Sequence, residues 1–517
     1  MLTNKKTKTI LTVILILQIL FLMYLTWKYG IQRLDGDDSA EMILANLLAR
    51  EGGILSRNWF YSTEIRVLNT QIVMSLLFHI FDDWHLVRTL GTGILLCILV
   101  LSYLFMCRNI PEGDRLGTWA PVVLLPFSYV YLDFVLYGLY YIPHISILFI
   151  SLGLLLRDKD NDFLPEVFLY TLALIAGMGG IRIPAVGYLP AFLASFLIFL
   201  LSGECRKACR RSFCACIASG AGYLINTLVL SKTYWFQSRS YVKPTLPNLR
   251  AAITIVKDTI QVCGGAKPRL SFPGIGGIAG LLLFACIIAM SILIILNRKQ
   301  VSLPLQIVVL TFIISWFITA FAGACTNNGW ANRYAMIPCM GMIPVMAEGV
   351  FLLRRKISRF VAAALTVMLL LTSSSQVYRF ITEDKLKKVQ PAYDYIIGSG
   401  MTFGYSNWEV GDVITEVSDG KIHMCKVQNY ASLWRWNWLM ERDYMKYTEN
   451  GPLFLLLDKE RFTSTEPERG YFYGTWTEED MVWRKQAKVG FEDDNFVVWV
   501  FDSEEKFETI TGSRPHQ

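Results

Sequence analysis

The stretch GIQRLDGDDSAEMILANLLAREGG, residues 30–53, determines how the rest of the chain is interpreted. It places three aspartates, Asp35, Asp37 and Asp38, just after the first long apolar segment. Carboxylates resist leaving water, so an acidic cluster beside a membrane-like segment needs a partner or a function. We therefore take residues 30–85, which separate the first apolar segment from all later ones, as the candidate active-site loop.

The composition indicates a membrane protein. The 517 residues are 53% hydrophobic and only 18% charged, whereas a soluble chain carries about 25% charged residues. A membrane span needs about 20 apolar residues. By that length the sequence predicts a polytopic α-helical protein with about eleven spans, near residues 9–29, 86–107, 117–135, 138–156, 163–180, 183–202, 212–231, 274–296, 301–323, 334–353 and 357–376.

The distribution of basic residues predicts the orientation of these spans. Alternate loops carry most of the lysines and arginines, and such loops remain on the cytoplasmic side. The other set of short turns carries almost no basic residue except Arg182 and Arg333. This alternation predicts a cytoplasmic N-terminus and an extracytoplasmic C-terminus. Because the net charge of +7 is spread over short loops rather than one face, the composition does not indicate nucleic-acid binding.

The chain divides into two predicted domains. Residues 1–379 form the transmembrane domain, whose outer loops are 30–85 and an aromatic, basic segment at 232–273. Residues 380–517 are polar and predict a small extracytoplasmic α/β domain, with helices at 384–397 and 407–418 and strands at 401–405, 422–428, 453–457 and 496–501. In the first outer loop, periodicity predicts helices at 38–50 and 69–81 that lie in the membrane interface.

The three aspartates allow several interpretations. Asp38 with Glu41 three residues later matches a capping box at a helix start, and the cluster also suits a solvated loop. Capping by Asp38 leaves Asp35 and Asp37 unexplained. One of the aspartates is a candidate general base. An Asp-x-Asp pattern also suits a divalent cation, because carboxylate oxygens are hard ligands.

Other charged residues are expected on the same outer face. Asp133 ends the third predicted span, and Arg182 and Arg333 lie in outer turns. A single arginine at a helix end often only extends its head group to the interface. Two arginines near several aspartates point instead to bidentate binding of a phosphate or pyrophosphate. Glu348 lies near basic residues at the inner end of its span, so we expect it to form a local ion pair.

These features together resemble the GT-C glycosyltransferases, which use polyprenyl-phosphate-linked sugars and include protein O-mannosyltransferases and lipid A aminoarabinose transferases. The resemblance lies in the acidic first outer loop, the juxtamembrane helices, the polar stretch DDWHLVRTLG at 82–91 and the loosely matching Arg333-Tyr334-x-x-x-Pro338. It implies a bacterial plasma-membrane enzyme that transfers a sugar from a polyprenyl-phosphate donor to a hydroxyl of a cell-envelope lipid, polysaccharide or protein. The transfer would occur on the outer face, with inversion.

The resemblance also implies residue roles. The catalytic carboxylates are Asp37 with Asp38, or Asp35 with Asp37. Arg182 and Arg333 are expected to bind the donor phosphate. Arg182 matches a basic residue that family members have after the fifth span. Further substrate contacts are expected from Glu41, Arg66, Asp133 and Tyr334.

Two other functions remain open from the sequence. A flippase for lipid-linked sugars would also need many spans, although it predicts charged residues in broken helices at mid-bilayer. A membrane-anchored assembly protein would place its function in the C-terminal domain.

Overall fold

A computed structural model describes residues 5–65, 67–158, 163–236, 243, 245–246, 249–264, 274–326, 329–427, 433, 435–445, 451–460 and 482–502. Most of these residues are helical. The helices are α1 (Lys5–Tyr29), α2 (Gly36–Glu51), α3 (Gln71–Phe78), α4 (Trp84–Arg108), α5 (Gly113–Gly117), α6 (Tyr129–Tyr131), α7 (Ile142–Leu155), α8 (Phe163–Met178), α9 (Leu189–Ser202), α10 (Arg206–Ile225), α11 (Ser231–Thr233), α12 (Leu249–Val262), α13 (Gly274–Leu296), α14 (Leu303–Cys325), α15 (Met336–Cys339), α16 (Met342–Leu352), α17 (Arg355–Thr382), α18 (Gln390–Gly398) and α19 (Trp408–Val417).

Short strands complete the described fold. They are β1 (Trp59–Tyr61), β2 (Trp235–Phe236), β3 (Phe403–Ser406), β4 (His423–Lys426), β5 (Met440–Glu441), β6 (Leu453–Asp458), β7 (Lys488–Glu492) and β8 (Phe496–Phe501).

The described helices include seven that are long and apolar enough to cross a membrane. Up to nine spans result if each of two bent helix pairs is one span, and two shorter apolar helices, α7 and α8, stand beside them. Each predicted apolar stretch contains helix. The first bend, 84° between residues 113–124 and 129–137, contains Pro126. Proline cannot donate a backbone hydrogen bond, so it interrupts a helix. The number eleven and the orientation of the spans stay predictions.

The first outer loop forms the two predicted helices, α2 and α3, and both pack against other helices of the protein. Ten of the sixteen residues of α2 are buried, on more than the one face that the periodicity indicated. In α3, the polar residues Gln71 and Ser75 are buried, whereas Leu76 is 62% exposed. The buried face of α3 therefore combines Gln71 and Ser75 with the apolar Met74 and Phe78, whereas His79 is exposed.

A three-stranded sheet joins the outer loops to the C-terminal region. Strand β1 pairs in parallel with β2 and antiparallel with β5. These strands come from the first outer loop, the second outer loop and the C-terminal region, respectively. Most of the aromatic, basic segment around residues 237–248 lies outside the described residues. The sheet brings chain segments that are far apart in sequence to one edge of the first loop.

The C-terminal region folds around a mixed five-stranded sheet of order β4-β3-β6-β8-β7. Strand β3 runs parallel to β4 and β6, and β8 runs antiparallel to its two neighbours. Helix α19 connects β3 to β4 and packs on α2. The predicted strands at 401–405, 422–428, 453–457 and 496–501 are confirmed to within three residues at each end. The prediction omitted β7 and began its first helix at residue 384, whereas α18 begins at Gln390.

Candidate active site

The acidic cluster lies at the start of α2, and Asp35 rather than Asp38 is the N-cap. Asp35 has an extended backbone, and its side chain accepts a hydrogen bond from the Asp38 amide at 3.1 Å. The expected capping box of Asp38 and Glu41 is therefore wrong, because the helix begins one turn earlier, at Gly36. The other oxygen of Asp35 lies 3.4 Å from Lys385 Nζ, and the Asp35 side chain is 46% exposed.

Asp37 and Glu41 line a pocket on the same side of α2. They are four residues apart, which places them one above the other on a helix face. The pocket has a volume of about 130 Å³ and is also lined by side chains from the first loop, the membrane part and the C-terminal region: Ser62, Thr63, Phe134, Tyr140, Tyr141, Arg182, Arg333, Tyr334, Trp438 and Leu439. Glu41 Oε2 accepts hydrogen bonds from Asn69 at 3.3 Å and Thr70 at 3.1 Å.

Asp38 points away from solvent and is 3% exposed. Its Oδ1 accepts a hydrogen bond of 2.6 Å from the Tyr140 hydroxyl. Burial, with a further contribution from Asp35, raises the pKa of Asp38 well above its ordinary value, because the charged form loses its hydration. A Cβ at Gly138 would lie 2.8 Å from Asp38 Oδ1. Glycine at that position therefore allows the close approach between the Asp38 carboxyl and the backbone that leads to Tyr140.

Two arginines, Arg182 and Arg333, also line the pocket. Arg182 Nη1 donates to the Tyr141 hydroxyl at 3.0 Å, and its guanidinium carbon lies 5.3 Å from the Tyr141 ring centroid. The guanidinium carbons of Arg182 and Arg333 each lie 5.9 Å from the ring centroid of Tyr334. Arg333 also lies 5.8 Å from the centroid of Phe134. The aromatic rings thus hold two like charges at one end of the pocket.

Neither of these arginines is neutralised by an ion pair within the described residues. No described carboxylate lies within 4 Å of Arg182 or Arg333, although Glu64 lies near enough to Arg182 to act on it electrostatically. Two guanidinium groups around one pocket repel each other unless an anion lies between them. A planar guanidinium fits the oxygens of a phosphate or carboxylate with two parallel hydrogen bonds. This end of the pocket is therefore suited to an anionic ligand.

The segment that carries Arg333 is held by the second outer loop. The indole nitrogen of Trp330 donates to Asp258 in α12 at 3.1 Å. The Asn332 amide donates to the Tyr129 hydroxyl at 3.0 Å. These contacts position Arg333 from two directions, before the chain enters α15.

The C-terminal region supplies a further side of the pocket through Trp438 and Leu439, here called the C-terminal wall. Trp438 stacks on Trp436 with ring centroids 5.4 Å apart and an interplanar angle of 7°. The carbonyl of Leu439 accepts a hydrogen bond from the buried ammonium of Lys426. Leu439 has a positive φ of 46°, a strained conformation that persists only where surrounding contacts enforce it.

Not all of the predicted site residues meet in this pocket. Asp133 does not line it, because its carboxylate lies 3.3 Å from Arg33 in a separate ion cluster with Glu383. Arg66 lies outside the described residues. Glu348 does form an ion pair, but its partner is Arg115, at 2.7 Å and 233 residues away in the chain, rather than one of the neighbouring basic residues. Sequence reasoning missed the C-terminal wall, since nothing in the local pattern relates residues 438–439 to the first loop.

The carboxylates do not form a metal site in the described part of the chain. No group of three or more His, Cys, Asp or Glu side chains there is arranged to hold a metal ion. The oxygens of Asp35 are engaged with the Asp38 amide and Lys385, while Asp37 lines the pocket. The described residues therefore show no three-ligand site at the Asp-x-Asp pattern.

No protein-family model matches the chain, and no curated protein sequence is significantly similar to it. Solved structures do match. ArnT from Cupriavidus metallidurans in the apo state gives a TM-score of 0.59 at 11% identity, over 98% of this chain and 100% of ArnT. The same protein bound to undecaprenyl phosphate gives 0.56 at 10% identity, over 95% and 97%. The Archaeoglobus fulgidus oligosaccharyltransferase, in a complex with Zn and sulfate, gives 0.52 at 12% identity, over 89% and 69%.

At these identities the comparison concerns the fold rather than the chemistry. The match to ArnT extends over the membrane helices and the C-terminal region together. Over almost its whole length, this chain has the fold of ArnT and, over 89% of its length, that of the archaeal oligosaccharyltransferase.

Proposed function

We propose that the chain is a multi-pass membrane glycosyltransferase that moves a sugar from a polyprenyl-phosphate donor to an acceptor hydroxyl. The single observation that carries the proposal is the pocket that Asp37 lines together with two arginines that have no described carboxylate within 4 Å. A phosphate-linked sugar needs both elements, a cationic site for the phosphate and a carboxylate near the sugar. The fold shared with ArnT, which has been solved with undecaprenyl phosphate, supports the choice of donor.

In this proposal Arg182 and Arg333 bind the donor phosphate and stabilise the charge that grows on it as the sugar leaves. The phosphate is already a good leaving group, so no general acid is required. The polyprenyl chain stays in the bilayer, which explains why so many apolar helices surround one small polar pocket. The cationic end of the pocket is built by residues next to membrane helices, where a lipid phosphate would arrive.

Asp37 is the best candidate for the general base. Asp35 is occupied as the N-cap of α2. Asp38 is buried against Tyr140 and its pKa is raised, so it is a poor anionic base at the pocket surface. Asp37 would take the proton from the acceptor hydroxyl as the hydroxyl attacks the anomeric carbon opposite the phosphate. Attack from that side inverts the anomeric configuration, unlike the two-carboxylate retaining mechanism of glycosidases.

The remaining lining suits one sugar ring. A cavity of about 130 Å³ is far larger than the about 10–15 Å³ that a single water molecule needs, so it has room for a small ligand. Trp438 offers an aromatic face, and Glu41, Ser62 and Thr63 offer polar atoms. We infer that the donor sugar lies between α2 and the C-terminal wall.

The predicted orientation places this pocket on the extracytoplasmic side of the plasma membrane, where the acceptor would be a cell-envelope lipid, polysaccharide or protein. A direct test incubates the purified protein in proteoliposomes with radiolabelled polyprenyl-phosphate sugars and cell-envelope lipid extract. We expect label to move to an acceptor on one face. Movement of intact donor across the bilayer without transfer would favour a flippase. If the donor is neither transferred nor moved across the bilayer, an assembly protein would be favoured.

A further inference from the structure

A buried ion pair joins the membrane part to the C-terminal region beside the aspartates. Arg88 of α4 donates from Nε and Nη2 to the two carboxylate oxygens of Glu416 in α19, at 2.7 and 2.8 Å. The two side chains are only 4% and 5% exposed. Arg88 Nη2 also donates to the backbone carbonyl of Asp38 at 2.9 Å. One guanidinium thus connects three helices, α4, α2 and α19.

Helix α19 also packs directly on the first turn of α2. A Cβ at Gly36 would lie 2.5 Å from the ring of Trp408 and 2.6 Å from its carbonyl oxygen. Asp419, just after α19, accepts a hydrogen bond from the Trp84 amide at the start of α4, at 3.3 Å. The N-terminal ends of both α2 and α4 therefore have close contacts with the C-terminal region.

The same face of α19 supports the opposite side of the pocket. Asp412 precedes Glu416 by four residues, and its carboxylate lies 2.6 Å from Lys426 Nζ with both side chains at most 3% exposed. Lys426 in turn donates to the carbonyl of Leu439 in the C-terminal wall. Two carboxylates one turn apart on α19 thus act on α2 through Arg88 and on the wall through Lys426.

Buried ion pairs are weak evidence for stability, because each ion loses its hydration and apolar residues of similar size often stabilise a protein equally well. What two such pairs can provide is a fixed geometry, since a bidentate guanidinium orients its partners. Burying both ion pairs beside one pocket costs the hydration free energy of the four ions. That cost is explained if the relative position of α2 and the C-terminal wall matters for the reaction.

We propose that α19, through Glu416 and Asp412, positions the two sides of the active pocket, so that the C-terminal region is part of the catalytic unit. This inference rests on the proposed glycosyltransferase function. Glu416 and Arg88 are positioning residues in this view, because they act on Asp37 through the backbone of α2. Truncating the chain after residue 380 should then abolish sugar transfer.

The test compares the Glu416→Gln variant with the natural protein, both at full length and in nanodiscs. We expect kcat for sugar transfer to fall by about 10- to 100-fold, since misplacing a catalytic group by about 1 Å costs about that much. The dissociation constant for polyprenyl phosphate should stay within about threefold, because Arg182 and Arg333 are not touched. Backbone amide exchange of residues 37–41 should become about tenfold faster, because Arg88 no longer holds the first turn of α2 firmly.

Lys388→Gln is the control. Lys388 forms an ion pair of 3.1 Å with Glu460, and both side chains are exposed and absent from the pocket lining. This variant should leave kcat unchanged within about twofold, as is usual for an exposed pair. If Glu416→Gln fails to fold, Arg88→Gln with Glu416→Gln removes both charges. That double variant should fold, with kcat still reduced.

The outcomes separate the inference from the function. Unchanged kcat together with unchanged exchange at residues 37–41 in a folded Glu416 variant would overturn the inference. Absence of transfer by the natural protein would count against the proposed function alone. In that event, amide exchange still decides whether α19 positions α2: faster exchange supports it and unchanged exchange overturns it.

Discussion

Replacing either arginine of the pocket by lysine should weaken the binding of polyprenyl phosphate while keeping the charge. Arg182 is held by a 3.0 Å hydrogen bond from Nη1 to Tyr141 and by the rings of Tyr141 and Tyr334. Lysine has one compact charge and cannot form the planar, bidentate contact or the same stacking. Losing one charge-assisted hydrogen bond costs about 1.5–3 kcal/mol, which corresponds to an increase in Kd of about 10- to 150-fold.

The assay is the titration of purified protein in nanodiscs with polyprenyl phosphate that carries no sugar, so that binding is measured apart from chemistry. Arg182→Lys and Arg333→Lys should each show the increase in Kd, and the double variant should fall short of the sum because both contact one phosphate. Arg298→Lys, an exposed residue in a loop remote from the pocket lining, is the control. Unchanged affinity in both single variants would refute the assignment of this end of the pocket to phosphate.

Three further predictions follow from named contacts. A carboxyl with a raised folded-state pKa, such as that of Asp38, adds stability at low pH that is lost as the pH rises toward the folded pKa, by about 1.4 kcal/mol per pKa unit. Asp38→Asn should therefore gain melting temperature relative to the natural protein at pH 8 but not at pH 4. Trp438→Ala should raise the KM for the donor by about tenfold, because one aromatic contact is lost. Trp438→Phe keeps an aromatic ring and should have a KM close to that of the natural protein. Equal KM values in all three proteins would contradict the sugar-facing role. Gly138→Ala, whose Cβ would lie 2.8 Å from Asp38 Oδ1, should cost about 1–3 kcal/mol of stability, whereas Gly398→Ala, which meets nothing within 4 Å, should not lower the melting temperature.

Local sequence patterns predicted the helices and most strands, because hydrophobic periodicity reports which face of an element is buried. The local patterns did not determine at which residue α2 begins. Asp35 with Asp38 and Asp38 with Glu41 both have the three-residue spacing of a capping box. The choice between them depends on the packing of Gly36 against Trp408, a residue of the C-terminal region.

The candidate site shows the same limit. Asp37, Glu41, Arg182, Arg333 and Tyr334 were chosen from the sequence and from the family resemblance, and the structure brings all five to one pocket. Asp133 was chosen because it ends an apolar stretch on the same face, yet it pairs with Arg33.

The residues that reasoning from the sequence missed make long-range contacts. The pair of Arg88 and Glu416 joins positions 328 residues apart, and no local motif marks either residue. Trp438 enters the pocket because β5 pairs with β1 of the first outer loop. Such pairings depend on the fold of the whole chain, so periodicity and motif spacing cannot reveal them.

In the proposed mechanism, Asp37 is the base for sugar transfer from a polyprenyl-phosphate donor. The most direct measurement is the single-turnover rate of transfer with bound donor for the natural protein, Asp37→Asn and Asp35→Asn. Asparagine caps a helix as well as aspartate does, so Asp35→Asn should keep most of its activity. Asp37→Asn should bind donor with nearly normal affinity and transfer sugar at least about 100-fold more slowly, the lower range for loss of a positioned general base. Transfer by Asp37→Asn at the natural rate would contradict the account.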